Sequence, residues 1–333
     1  MVKAFICGVE GHSLTDTERD FLATEKPYGV ILFARNIDHP DQVRALTADI
    51  QQQLDHPYRA ILIDQEGGRV ARMRPPHWRA YPPAKFFADM DDRNAASRAV
   101  ELNARLIAEE LRSVGITIDC APLADVLAPE CHDVIGDRAF GSTPEQVTAL
   151  ARAQADGLLK GGVLPVLKHI PGHGRAMVDS HHDLPTVEAP LAELEACDFI
   201  PFRQLADIPL GMTAHIVYTA LDAGHCATQS PTVIRFIREQ IGFDGLLMSD
   251  DLSMKALGGS YAERTEKTFA AGCDLALHCN GNMDEMREVA AHSPALQGEA
   301  LRRAQQALLR LPVAPASPTP EQLAEWQGLT RAA

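Results

Sequence analysis

Eight short apolar runs, each followed by a helix-length amphipathic stretch, constrain this chain more than any other feature. The runs are KAFICGV (3–9), GVILFA (29–34), AILID (60–64), ITIDCAP (116–122), LPVLKH (164–169), LGMTAH (210–215), GLLMSD (245–250) and DLALHC (274–279). Continuous rather than alternating apolarity suits strands covered on both faces, as in a parallel sheet. Eight strand–helix units within 333 residues are the arithmetic of an α/β fold of the (β/α)8 TIM-barrel kind. A doubly wound open sheet is the other arrangement that this alternation allows.

Local signals support the helices. Thr15 with Glu18, and Thr143 with Gln146, have capping-box spacing. Gly115, Gly161 and Gly242 stand where three helices should stop before a strand. Beyond Leu311, PVAPASPTP reads as an extended connector to a short helix, EQLAEWQGL. The expected organisation is a single barrel over 1–311 and a Pro-rich C-terminal tail with a short helix over 312–333.

Composition narrows the partners. Apolar residues at 46% and charged residues at 23% are those of a globular chain with a sizeable core. With 31 basic and 45 acidic side chains the net charge is −14, the opposite of a nucleic-acid footprint. The start, MVKAFICGVEGHSL, lacks the uninterrupted apolar stretch of a signal peptide, and no run reaches membrane-spanning length. The seven cysteines are odd in number and form no C-x-x-C pair, as expected of reduced thiols used as small hydrophobes. A cytoplasmic enzyme, a monomer with neither nucleic-acid nor membrane partner, is the expectation.

Barrel enzymes work at the C-terminal ends of their strands, and there this sequence concentrates ionisable groups. The third run ends at Asp64 and leads into QEGGRVARMR, and the fourth leads to Asp125 and then GDRAF with Asp137 and Arg138. The fifth ends in Lys168-His169, the sixth in His215, and the seventh in Ser249-Asp250-Asp251. Buried ionisable groups are costly unless paired or used, so packing alone does not account for the clustering. Each also has a plainer reading: Asp64 and Asp250 as helix caps, His169 and His215 as core histidines, Glu66-Gly67-Gly68-Arg69 as an ordinary turn. No dinucleotide fingerprint follows any strand. His169, His173, His181 and His182 share one loop, but Pro171, Gly172 and Gly174 break any helix that would align them on a metal; no metal or cofactor is expected.

IDQEGGRVARMR, GDRAF, LKHIPGHG…DSH, MTAHIVY and MSDDLSMKAL together resemble the bacterial β-N-acetylhexosaminidases of glycoside hydrolase family 3, and most closely their single-domain, cytoplasmic, peptidoglycan-recycling type. The resemblance implies a (β/α)8 barrel and a retaining glycosidase that removes terminal β-linked N-acetylglucosamine from anhydro-N-acetylmuramyl peptides. It matches Asp250 to the nucleophile and His181, with Asp179, to the general acid/base. It matches Asp64, Arg72, Arg138, Lys168 and His169 to the residues that grip the sugar. Position 170 is Ile where Phe is common in the family. A phosphorylase or transglycosylase of the same family, or a hydrolase of chitooligosaccharides, is the alternative.

Chemistry makes these roles coherent. A retaining glycosidase needs a carboxylate below the anomeric carbon and an acid beside the leaving oxygen. An imidazole with a nearby carboxylate can serve as that acid, because the carboxylate orients the ring and favours its protonated form. A Gly-rich loop carrying this pair is expected to close over bound sugar. Asp250 and Asp251, adjacent on a strand, should point to opposite faces; periodicity does not say which faces the sugar.

Overall fold

The computed structural model describes residues 1–128, 135–176 and 184–331. Eight parallel strands close into a barrel: β1 (Lys3–Cys7), β2 (Pro27–Leu32), β3 (Ala60–Ile63), β4 (Ile118–Asp119), β5 (Leu164–Ile170), β6 (Leu210–Thr213), β7 (Leu246–Asp251) and β8 (Leu275–His278). Each pairs with its sequence neighbour, and β8 pairs with β1 to shut the ring. All eight arise from the apolar runs. The fourth is the most shortened, because beyond Asp119 its chain pairs irregularly with β5, Ala121 and Pro122 accepting from Val166 and Lys168.

The continuous apolarity has a direct structural cause. Alternate residues such as Ile6, Leu62, Ile118, Val166, Met212 and Met248 fill the barrel interior. Their neighbours Phe5, Ile61, Ile63 and Val30 pack outward on helices, against Leu22, Val43, Leu46 and Ile50 of Asp16–Glu25 and Pro40–Leu54. Both faces of every strand are therefore dry, and polar side chains gather only where strands end.

Two of the capping expectations need correction. Thr15 and Glu18 form the reciprocal box, but Thr143 makes no side-chain cap. Gln146 instead donates to Ala88 O (2.7 Å), and Pro144 opens the helix Pro144–Lys160. That helix turns off at Gly162 (φ 83°) rather than at Gly161, which keeps a right-handed conformation. Gly115 and Gly242 do adopt the left-handed region. Residues 312–319 run without helix or strand to the helix Pro320–Arg331, which lies across Arg93–Ser113. There Trp326 is buried and donates to Asn103 Oδ1 (3.2 Å), and Arg98 grips Glu325 with two nitrogens (2.9 and 2.8 Å). Among the described residues, no helix is long and apolar enough to cross a membrane.

Candidate active site

A cavity of about 180 Å³ opens at the C-terminal end of the barrel, walled by Asp64, Arg72, Arg138, Lys168, His169 and Asp250 together with Phe33, His173, Met212, Asp251 and Cys279. Six of the residues singled out in the sequence thus meet in one place. Asp179 and His181 lie outside the described residues, as does the part of their loop expected to cover a sugar.

Side chains replace regular strand pairing on the wall formed by β7 and β8. The register between these strands slips between Leu275 and Leu277, and there the Ser249 hydroxyl accepts from Leu277 N (2.9 Å). Asp251 is consumed by the same irregularity. Its Oδ1 accepts from Ser253 N (2.9 Å) and Cys279 N (3.0 Å), and its Oδ2 from the Ser253 hydroxyl (2.5 Å). Among the described residues, Asp250 receives one hydrogen bond, from Asp251 N to Oδ1 (2.8 Å). Asp251 is thus the more heavily bonded of the pair among the described residues, and Asp250 keeps acceptor capacity toward the cavity. Burial opposes ionisation of Asp250, but the nearby His215 and His169 imidazoles and the Asp251 N–H outweigh it, holding the carboxyl below its ordinary range.

His215 is a satisfied core histidine, the plainer of its two readings. Its Nε2 donates to Asp251 O (3.0 Å) and its Nδ1 takes the Thr228 hydroxyl (2.8 Å). Burial pushes its pKa down. The ring braces the backbone behind Asp250. His169 instead lines the cavity, where Nδ1 donates to Asp125 Oδ2 (2.9 Å), leaving Nε2 without a partner among the described residues. Asp125 also accepts the His169 and His173 N–H groups (3.2 and 2.7 Å), fixing the start of the loop after β5. Against the penalty of burial, these contacts hold Asp125 down at about 2.

The opposite wall is an ion-pair lattice. Lys168 Nζ contacts Asp64 Oδ1 (2.9 Å) and Glu66 Oε1 (2.7 Å), while Arg72 donates to Asp64 Oδ2 (3.1 Å). Arg138 forks onto Glu66 (2.9 and 2.8 Å). Burial alone would raise both carboxyls, but Lys168 and Arg72 hold Asp64 well below the usual range, and Arg138 with Lys168 hold Glu66 at about 2. Reciprocally, burial would lower the Lys168 pKa, and the two carboxylates more than reverse that. Such a lattice presents fixed charges to a neutral polyol, and charge-assisted hydrogen bonds to hydroxyls are the strong ones. Two buried atoms on the cavity wall, Arg72 Nε and His173 Nδ1, have no hydrogen-bond partner among the described residues. An unmatched polar atom in a buried site is what a polar ligand satisfies.

Glu66, Phe33 and His173 are site residues that sequence reasoning did not select. Glu66 stood in what read as an ordinary turn. The turn is real: Gly67 and Gly68 take positive φ (100° and 56°), and a Cβ on either would meet Pro82 O at 2.4 Å or Pro83 Cβ at 2.6 Å. Its consequence is to aim Glu66 back at Arg138 and Lys168. Gln65 ties the same loop, its Oε1 accepting from Arg72 N (2.8 Å) and Met73 N (3.1 Å).

Beneath Gln65 lies Asp119, whose Oδ1 accepts from Gln65 N (2.9 Å) and whose Oδ2 has no partner among the described residues. Burial pushes its pKa up to about 7. A carboxyl whose folded pKa exceeds its unfolded value costs nothing below about pH 4, and its penalty grows as pH rises to about 7. Three units correspond to on the order of 4 kcal/mol at alkaline pH. Asp119→Asn is therefore expected to raise the melting temperature by several degrees at pH 8, with the gain vanishing toward pH 4. An equal shift at both pH values would contradict a buried neutral carboxyl.

The comparisons agree with this geometry. The model of the glycosyl hydrolase family 3 N-terminal domain matches residues 4–311. A protein of Chromobacterium violaceum named beta-hexosaminidase is 38% identical over 301 residues, covering 89% of this chain and 84% of its own length. One of the same name from Methylococcus capsulatus is 41% identical over 274 residues, covering 81% and 80%. The structure of NagZ from Neisseria gonorrhoeae in complex with N-trifluoroacetyl-D-glucosamine superposes with a TM-score of 0.89 at 32% identity, over 99% of this chain and 97% of that one. The chain belongs to glycosyl hydrolase family 3 and is a glycoside hydrolase of the β-N-acetylhexosaminidase kind.

Proposed function

We propose that this chain is a retaining β-N-acetylglucosaminidase that releases terminal N-acetylglucosamine from peptidoglycan fragments ending in anhydro-N-acetylmuramyl peptides. Asp250 is the nucleophile, and His181, oriented by Asp179, is the general acid/base. The observation that carries the reading is the division of labour within Asp250-Asp251: among the described residues three hydrogen bonds engage Asp251, while Asp250 faces the cavity with one. In the glycosylation step an Asp250 oxygen bonds to the anomeric carbon as the glycosidic C–O bond breaks, and the leaving oxygen takes the proton of His181. Water then attacks the same carbon from the opposite face, giving a proton back to the imidazole as the bond to Asp250 breaks and its carboxylate is released. No cofactor is required. The setting is the cytoplasm, with residues 1–311 as the catalytic unit and 312–333 as its appendage.

Asp64, Arg72, Arg138, Lys168 and His169 hold the hydroxyls and acetamido group of the sugar. Arg72 is the simplest to test, because its Nε is a buried donor lacking a partner among the described residues. Arg72→Ala is expected to weaken binding of free N-acetylglucosamine roughly 10- to 100-fold, the worth of a hydrogen bond to a charged group. Unchanged affinity by calorimetry would mean that Arg72 serves only Asp64. The reaction class itself is tested by following hydrolysis of a muropeptide by NMR: β-configured N-acetylglucosamine should appear first and then mutarotate. First appearance of the α-anomer would overturn retention, and a sugar phosphate formed only with added phosphate would favour phosphorolysis.

A further inference from the structure

The loop that follows β3, residues 64–83, brings Asp64, Val70 and Arg72 to the cavity wall and Glu66 to Arg138 and Lys168. It contains neither helix nor strand beyond the isolated Gly67–Val70 bridge. A segment with so few backbone hydrogen bonds of its own is held by what packs against it. Met73, Trp78 and Tyr81 do not line the cavity and are buried in one apolar cluster with Trp326 of the helix Pro320–Arg331. Leu323 and Leu329 of the same helix pack on that cluster. The loop is thus held between the sugar-binding cavity and the C-terminal helix.

The contact reaches the part of the loop that matters. The Tyr81 and Trp326 rings stand 6.0 Å apart at 59°, the spacing of a favourable aromatic pair. Tyr81 O accepts from Gly68 N (2.9 Å), and Pro82 and Pro83 press on the Gly67–Gly68 turn that aims Glu66. The helix itself is fixed at several points. Gln322 N donates to the Thr319 hydroxyl (3.3 Å) and Thr319 N to Gln322 Oε1 (3.0 Å), a reciprocal cap. The bond from Trp326 to Asn103 fixes the indole's orientation. Arg112 reaches the connector at Pro315 O (3.4 Å) and the Ser317 hydroxyl (3.5 Å).

We propose that the C-terminal helix braces the sugar-binding loop, and that Trp326, acting through Tyr81 and the Gly67–Gly68 turn, is a positioning residue for Glu66 and Arg72. This rests on the reading that Arg72 and its neighbours hold the sugar. No residue of the helix lines the cavity, so the effect is on how often the loop is ready to bind. A loop in its binding geometry for a tenth of the time binds about tenfold more weakly. By linkage, bound sugar must hold the helix down by the same factor.

The test is calorimetry of N-acetylglucosamine binding at a temperature where every variant is folded. Trp326→Ala is expected to raise Kd about tenfold, and Trp326→Phe to keep most of the affinity because a ring still meets Tyr81. In an Arg72→Ala background most of the Trp326→Ala effect should vanish, since the loop then has little left to present. A helix that only seals the core would lower the melting temperature and leave Kd unchanged. That result, or full additivity with Arg72→Ala, overturns the proposal. The wild-type chain gives a second reading that needs no variant and decides the matter even if Trp326→Ala folds poorly. Saturating N-acetylglucosamine should slow hydrogen exchange in 320–331 by about tenfold. It should leave unchanged the helix Gly298–Leu308, whose Ala304 and Ala307 pack with the barrel interior. Equal slowing of both helices, or slowing of neither, overturns the brace. A wild-type chain that binds no N-acetylglucosamine overturns the sugar-binding reading instead, and the brace with it.

Discussion

Asp250→Asn is expected to lower kcat by on the order of 10⁴-fold or more while leaving affinity for N-acetylglucosamine within a few-fold of wild type. The amide keeps the shape of the carboxylate and can still accept from Asp251 N, but it cannot form the glycosyl bond. Asp251→Asn should behave differently. Asp251 joins the 253 and 279 backbones across the β7–β8 slip. Its amide cannot accept from both the backbone N–H groups and the Ser253 hydroxyl, so the loss should fall on thermal stability and on both kinetic constants together. If Asp251→Asn alone abolished turnover in a fully stable protein, the roles of the pair would have to be exchanged.

The second large effect concerns the leaving group. A nitrophenolate departs without a proton, whereas a sugar alkoxide does not. Removal of the His181 imidazole in His181→Ala is expected to slow glycosylation by a disaccharide by about 10²–10⁴-fold, the usual contribution of a general acid. Release of nitrophenol in the first turnover should fall far less. Asp179→Ala should follow the same pattern more mildly, since the ring remains and loses only its orienting carboxylate. Rapid-quench measurement of the two leaving groups separates this step from the slower hydrolysis of the intermediate. Equal losses on both substrates would remove His181 as proton donor and direct attention to His169 and His173, whose rings lie 5.4 Å apart on the cavity wall. Burial and the neighbouring His169 push His173 down to about 4, which makes it a poor acid store at neutral pH and a weaker candidate.

Much of the fold was legible because each barrel strand buries both faces, so GLLMSD and LPVLKH print as unbroken apolar runs with their charges at one end. Those terminal charges marked Asp64, Lys168, His169 and Asp250. What stayed hidden depends on geometry that side-chain type does not encode. Glu66 looked like part of a turn because only the backbone angles of Gly67 and Gly68 show where its carboxylate goes. His215 and His169 are equivalent in sequence, each closing an apolar run. One is spent on Thr228 and Asp251 while the other faces the cavity. Thr143 had a good capping pattern, yet Gln146 found a better partner in a distant carbonyl. The choice between Asp250 and Asp251 was open to periodicity and came from family resemblance; the hydrogen-bond inventory supports it independently.

The account centres on a covalent bond between Asp250 and the sugar, and trapping that bond tests it most directly. A fluorinated N-acetylglucosaminide that glycosylates quickly and hydrolyses slowly should add one sugar mass to the intact protein. Tandem mass spectrometry of the peptide spanning Leu246–Ser253 should place that mass on Asp250, and Asp250→Asn should take no label. Label on Asp251 or Glu66, or a fully active enzyme that never acquires one, would contradict the account.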